Sequence, residues 1–267
     1  MIAQIHDLQT AKELVPYVID EKKSVPYLYA NLKTFDPSNE SVKLYTDEEE
    51  GALQGIYLLY YDCLHFYTQK ADTYPRDRVL DMIEKLSPRV TMLQDVIGQD
   101  IKEVLLKDFI LERNYIIDMD NIKVGPEVTF RSTIAGREDI VAIADLLLSE
   151  EEYSIVYDRD TLIKQMLERF DLGISRYYAA KEDGIVTASC STYGETDDLA
   201  LIGGVIVHKD FRRRGLAADV ENHACADLEA EGLSRVGFVN YENGPSLALH
   251  KKLGAVVHAT YSKFIRK

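Results

Sequence analysis

Val207-His208-Lys209-Asp210-Phe211-Arg212-Arg213-Arg214-Gly215-Leu216-Ala217 lies between an apolar run and an amphipathic one, and the rest of the chain can be read outward from it. The residues before it, Leu199 to Val207, are few, apolar and rich in β-branched side chains, which predicts a buried strand. After the arginines, Ala217, Val220, Ala224 and Leu228 recur at helical intervals. Asp219, Glu221, Asp227 and Glu229 fall between them, which predicts an amphipathic helix with those acids on its polar side, stopped at Gly232. The first turn of such a helix has N–H groups without intrahelical acceptors, and the helix dipole adds positive charge there, so the junction is an anion site. Gly215 has no Cβ and lets a phosphate approach the main chain. Neither G-x-x-x-x-G-K-[ST] nor G-x-G-x-x-G occurs, so this is neither a nucleotide P-loop nor a dinucleotide turn. The plainer alternative is a set of arginines solvating a surface turn.

Composition narrows the ligand. The chain has 267 residues, a length that suggests two domains, and 46% of them are hydrophobic, enough for a core in each. A formal charge of −14 argues against a nucleic-acid binder, because affinity for a phosphate backbone needs a basic footprint. Arg212, Arg213 and Arg214 are thus a basic island in an acidic protein, suited to a small anion held at one point. Cys63, Cys190 and Cys225 include no close pair and suggest buried thiols; no metal is expected. The N-terminus lacks a signal-like pattern and no apolar stretch reaches spanning length, so a soluble, cytoplasmic protein without a membrane partner is the expectation.

Along the chain, residues 1 to about 35 are predicted helical in two segments, followed by strands at 41–46, 52–61 and 63–68, a helix at 76–86, a strand at 89–93, a helix through Val96 to Leu105 and a strand at 110–119. The second half repeats that order: a strand at 128–134, helices at 137–148 and 161–170, strands at 174–180, 185–193 and up to Val207, the helix from Gly215, a strand at 234–240, a helix from Pro245 and terminal strands. The turns Glu49-Glu50-Gly51 and Glu182-Asp183-Gly184 occupy matching places, which points to a tandem duplication with its seam near Gly125-Pro126. The first copy has no glycine across Thr68 to Arg76, and Pro75 removes an N–H, so an anion cradle there is incomplete.

Arg212-x-x-Gly215-x-Ala217 resembles the pyrophosphate motif [R/Q]-x-x-G-x-[G/A] of the GCN5-related N-acetyltransferases. Asn243-Gly244-Pro245-Ser246-Leu247-Ala248-Leu249-His250-Lys251-Lys252-Leu253-Gly254-Ala255 resembles the family's downstream element, with His250 where Tyr is usual and Ala255 where an aromatic is usual. The resemblance implies an α/β fold with a mixed sheet, the acyl-CoA N-acyltransferase (GNAT) fold, in two copies. Residues 1–122 are then a degenerate copy and 126–267 the domain that binds acetyl-CoA as co-substrate. It implies cofactor contacts from Val205, Ile206 and Val207 along the pantetheine arm, from Arg212, Arg213, Arg214, Gly215, Leu216, Ala217 and Ala218 at the pyrophosphate, and from Asn243 and Ser246. Capping of the following helix is the alternative role for those last two.

Transfer from a thioester to an amine requires a polarised carbonyl, a deprotonated amine and a protonated leaving sulfur. Gly203-Gly204 inside a strand marks a bulge whose freed N–H groups could polarise the carbonyl. His250 is the first candidate acid; an imidazole, with an ordinary pKa of about 6.5, sets a lower alkaline limit than a tyrosine would. Tyr241 and Tyr261 are reserve acids. Glu195, with Asp197 and Asp198 beside it, is the candidate base, and Glu151-Glu152 would attract a cationic acceptor. The expected partner is a small amine, and the chain allows a homodimer. The alternatives are a coenzyme A-binding regulatory module, a tandem acyl or aminoacyl transferase of the kind that includes mycothiol synthase, and a protein lysine acetyltransferase.

Overall fold

The computed structural model describes residues 1–267. The chain runs β1 (Ile2–Ile5), α1 (Leu8–Glu13), α2 (Val15–Val18), α3 (Pro26–Thr34), β2 (Val42–Glu49), β3 (Ala52–Tyr60), β4 (Cys63–Tyr67), α4 (Arg76–Leu86), β5 (Val90–Gln94), α5 (Asp95–Leu105) and β6 (Phe109–Asp118). It continues with β7 (Thr133–Ile134), α6 (Ile140–Leu148), α7 (Glu151–Ser154), α8 (Arg159–Asp171), β8 (Tyr177–Glu182), β9 (Ile185–Glu195), β10 (Leu199–Val207), α9 (Leu216–Ala230), β11 (Ser234–Asn240), α10 (Gly244–Leu253) and β12 (Val256–Arg266).

The two halves repeat each other strand for strand. β1 pairs antiparallel with β2 and β7 with β8; β2, β3 and β4 form an antiparallel run, as do β8, β9 and β10. In each half the fourth strand then pairs parallel with the strand beyond the next helix, β4 with β5 around α4 and β10 with β11 around α9. The matching hairpin turns share one geometry, with φ +51° and +78° at Glu50 and Gly51, and +49° and +79° at Asp183 and Gly184. Two successive positive φ values match the right-handed twist of a hairpin.

The chain divides into two compact units, but not by cutting it once. The first is Met1–Ile116 with Val239–Glu242 and His258–Lys267; the second is Ile117–Phe238 with Asn243–Val257. These boundaries differ from 1–122 and 126–267: most of β12, expected in the second copy, belongs to the first unit, where residues 261–265 pair with β5. Within that unit the strand order is β1-β2-β3-β4-β5-β12-β6. Its core joins Tyr57, Phe66, Leu93, Ile97 and Ile101 to Phe264 of β12. The second unit has the order β11-β10-β9-β8-β7. Its core packs Ile143 and Leu147 of α6 and Met166 of α8 on Tyr177, Ala179 and Ile206 of the sheet.

Three elements differ from expectation. Residues 2–5 form an edge strand on β2 rather than the start of a helix. The strand predicted at 128–134 shrinks to Thr133–Ile134, because the N–H groups of Arg131 and Ser132 donate to the Asp219 carboxylate at 3.0 and 2.9 Å instead of entering a ladder. Glu221, expected on the polar side of α9, is fully buried at 0% exposure. It lies four residues after Ala217 and three before Ala224, on the inward stripe rather than opposite it.

Candidate functional site

The Arg-Gly turn and α9 form as the local sequence dictates. Arg213 and Gly215 take positive φ, +64° and +78°, and Gly215 is the N-cap of α9. No side chain caps this helix, so its first-turn N–H groups are left for an outside acceptor. A Cβ on Gly215 would meet only Arg131 Nη2, at 3.5 Å, so conformation rather than crowding selects glycine here. Arg131 is a fourth guanidinium at the turn, donating to the Arg214 carbonyl at 2.9 Å. Sequence reasoning missed it, since Arg131 lay inside a predicted strand.

The arginines are not equivalent. Arg212 donates to the Val207 carbonyl at 3.2 Å and is ion-paired with Glu150, at the start of α7. Arg214 pairs with Glu182 at 3.4 Å and lies over the Phe211 ring at 4.7 Å. Arg213 is exposed and makes no ion pair. An incoming anion at Arg212 or Arg214 competes with an exposed carboxylate, a partner that holds weakly in water.

On β10 the register to β9 shifts between Gly203, opposite Ser191, and Ile206, opposite Ser189, so two residues face Cys190 alone. This is the bulge expected at Gly203-Gly204, with Gly204 at φ +63°. A Cβ on Gly203 would lie 2.4 Å from Tyr193 Cε2, so this glycine admits an aromatic ring over the strand. The Tyr193 hydroxyl is 3.2 Å from that of Tyr153 on α7. Burial pushes the Tyr153 hydroxyl up to about 12 and also raises that of Tyr193 well above the ordinary range, so both stay protonated near neutral pH and offer O–H donors. This tyrosine pair was also missed; the one signal for it was Tyr153 beside Glu151-Glu152 in the segment assigned to the acceptor. Val205 and Val207 are half-buried, whereas the Ile206 side chain is in the core, which leaves only its main chain for a ligand.

Asn243 caps α10, its Oδ1 accepting from the Ser246 N–H at 3.1 Å; its amide Nδ2 makes no hydrogen bond. His250, 5% exposed, has Nδ1 2.6 Å from Glu221 Oε1. Glu195 is not placed to accept a proton. Arg176 Nε reaches its two oxygens at 3.0 and 3.1 Å, Arg176 Nη2 adds a bond at 2.8 Å, and Thr192 donates as well. It anchors β9 to β8, and with Glu231 it holds the Arg176 pKa well above the usual range against the effect of burial. Tyr241 falls in the 239–242 segment of the first unit, stacked on Tyr115 at 3.9 Å and beneath Arg113 at 4.7 Å. Tyr261, also of the first unit, is 3% exposed and burial raises its pKa strongly, which removes it as a reserve acid.

The family model described as the Acetyltransferase (GNAT) family matches residues 141–255, a span that contains the bulge, the Arg-Gly turn, α9 and His250. The second unit carries a GNAT domain. Solved structures share the fold over nearly the whole chain. A Drosophila protein superposes with TM-score 0.67 at 13% identity, covering 100% of this chain and 98% of its own. A GNAT-family acetyltransferase from Colwellia psychrerythraea gives 0.59 at 14%, covering 100% of both chains. A tandem GNAT protein from the clavulanic acid biosynthesis pathway gives 0.59 at 13%, covering 99% and 98%. No curated protein matches the sequence.

The first unit has the GNAT chain order without its anion site. β4 pairs with β3 in unbroken register from Cys63 to Tyr67, so it has no counterpart of the β10 bulge. Pro75 is the N-cap of α4, and Asp100 of α5 accepts from Tyr74 and Arg76 beside that end. Neither α4 nor α9 has a side-chain cap, but α4 begins at a proline with a carboxylate beside it, where α9 begins at a glycine in the left-handed region. Among the groups of the whole chain, none gathers the His, Cys, Asp or Glu side chains that would hold a metal ion. No helix is long and apolar enough to cross a membrane.

Proposed function

We propose that the GNAT domain transfers an acetyl group from acetyl-CoA to a primary amine, a small cationic metabolite in preference to an acidic one, by direct attack. The family match supports acyl transfer, and its members generally use acetyl-CoA. The observation that carries the reading is the uncapped N-terminus of α9 behind Gly215, one strand-end away from the bulge in β10.

The residues fit that co-substrate. Main-chain N–H groups at 215–218 with Arg212, Arg213 and Arg214 would hold the pyrophosphate, and Val205 and Val207 would flank the pantetheine arm, with Asn243 Nδ2 as a further donor. When bound, acetyl-CoA supplies an activated thioester carbonyl. The interrupted ladder at Gly204 and Val205 would place main-chain donors against that oxygen, and the Tyr153 and Tyr193 hydroxyls would orient the amine beside it. His250 gives the proton that the departing sulfur needs. With Glu195 committed to Arg176, water accepts the amine proton. Glu151 and Glu152, exposed on α7, favour a cationic acceptor.

Calorimetry with acetyl-CoA followed by a thiol-release assay across polyamines, amino sugars and lysine peptides tests this. Binding and thiol release with a small amine is the expected result. Binding without release on any amine would instead identify a coenzyme A-binding regulatory module, and release only with peptides a protein acetyltransferase.

A further inference from the structure

We propose that Glu221 is the positioning residue of a buried carboxylate–imidazole dyad, fixing His250 with its Nδ1–H on the carboxylate so that Nε2 is the nitrogen that exchanges a proton with the leaving sulfur. The inference rests on the reading of His250 as the acid and extends it to a residue that no motif marks. Glu221 is on α9 and His250 on α10, both in the second unit.

A core position between Val220 and Ala224 ordinarily takes an apolar side chain, and burying a carboxylate is costly unless its charge and lone pairs are met. Glu221 has 0% exposure, and His250 is its salt-bridge partner, with Nδ1 2.6 Å from Oε1. Its second oxygen, Oε2, is buried without a hydrogen-bond partner. Such a half-satisfied acid is a poor structural clamp, and packing alone would be better served by leucine. Two thiols feel the carboxylate, Cys190 from β9 and Cys225, one turn further along α9. Burial first, and Glu221 second, pushes both thiols up, to about 12 at Cys225, so they stay neutral. Lys251 and Lys252 beside His250 on α10 are exposed.

A carboxylate at Nδ1 selects the tautomer and the ring orientation, leaving the other nitrogen for chemistry. His250 Nε2 makes no hydrogen bond in the structure. In the transfer step, Nε2–H of the imidazolium passes to sulfur while the C–S bond breaks and its electron pair remains on sulfur. The amine nitrogen forms the new C–N bond, and its surplus proton goes to water, from which His250 is reprotonated. The Nδ1–H stays on Glu221 throughout.

Glu221→Leu, Glu221→Gln and His250→Phe separate positioning from packing. Nitrogen-15 NMR of histidine-labelled protein reports the tautomer without any substrate. At a pH high enough for the ring to be neutral, the state left after Nε2 has given its proton, the expected result is a single Nδ1–H tautomer in the native chain and in Glu221→Gln, whose amide oxygen still accepts the bond, and a mixture in Glu221→Leu. In steady-state assays Glu221→Leu lowers kcat by about 10-fold or more, a part of what a general acid supplies. The KM for acetyl-CoA stays within about 2-fold, Glu221→Gln recovers part of the rate, and His250→Phe is at least as slow as Glu221→Leu. An unchanged tautomer in Glu221→Leu, or a folded Glu221→Leu with native kcat, overturns the dyad; a lowered thermal midpoint with native kcat leaves Glu221 a packing residue. If the native protein releases no thiol with any amine, the transfer reading fails and the tautomer measurement alone decides whether Glu221 positions His250.

Discussion

At Gly203 a single missing methyl group decides what can lie over β10. Its Cβ position is 2.4 Å from the Tyr193 ring, so the ring must move to admit one. Gly203→Ala is therefore expected to cost about 1–3 kcal/mol, the range for overpacking, and to uncouple Tyr193 from Tyr153. Urea midpoints check the cost, and in a Tyr193→Ala background most of it should vanish; an equal cost in both backgrounds contradicts the packing account. Gly215 is a glycine for a different reason. Its φ of +78° strains any side chain although space is open, so Gly215→Ala should lose about 1–2 kcal/mol of stability. Gly215→Val adds bulk at the anion site and should abolish acetyl-CoA binding in calorimetry; retained affinity would remove the turn from the site.

Elements in this chain are tied down by polar residues at their ends. Asp95 begins α5 and accepts from Ser262 of β12 at 2.7 Å and from the Arg113 guanidinium of β6. Burial tends to raise its pKa, but the bonds from Arg113 and Ser262 outweigh that and leave it below its ordinary 3.8. A depressed carboxylate stabilises the fold fully above its unfolded pKa, and this contribution is lost as pH falls through the folded value. Acid unfolding of the first unit below about pH 4 should thus be shallower in Asp95→Asn, which is already weaker at neutral pH; denaturant titrations from pH 2 to 7 measure both slopes. Asn243 does comparable work for α10, and Asn243→Ala should cost about 1 kcal/mol through the lost cap, besides any change in cofactor affinity.

For the whole molecule, the consequential fact is that the last strand belongs to the first unit. β12 lies between β5 and β6 in that unit's sheet order and contributes Phe264 to its core. A chain ending at Val257 should leave the first unit's sheet open between those strands and its core short of an aromatic, while the second unit keeps its own strands. Hydrogen exchange is expected to show lost protection across residues 90–116 with α9 and β10 retained; uniform protection would contradict the assignment. For the same reason residues 1–122 alone should not fold to a native-like core.

The strand, turn and helix around Arg212 and Gly215 were legible because each depends on short-range causes: apolar run length, helical spacing and a glycine that must take positive φ. The duplication was legible in its paired hairpin turns, and the bulge in its two glycines. Arg131, Tyr153 and Tyr193 were not, since each acts by meeting a residue far along the chain. Glu195 looked free in sequence, and only the fold gives it to Arg176. The amino-acid sequence by itself determined the GNAT order of elements and the Arg-Gly turn, because local backbone preference and periodicity carry them. Only the tertiary structure decided that Glu221 is buried against His250 and that β12 completes the first unit, because both follow from which surfaces meet once the chain has closed on itself.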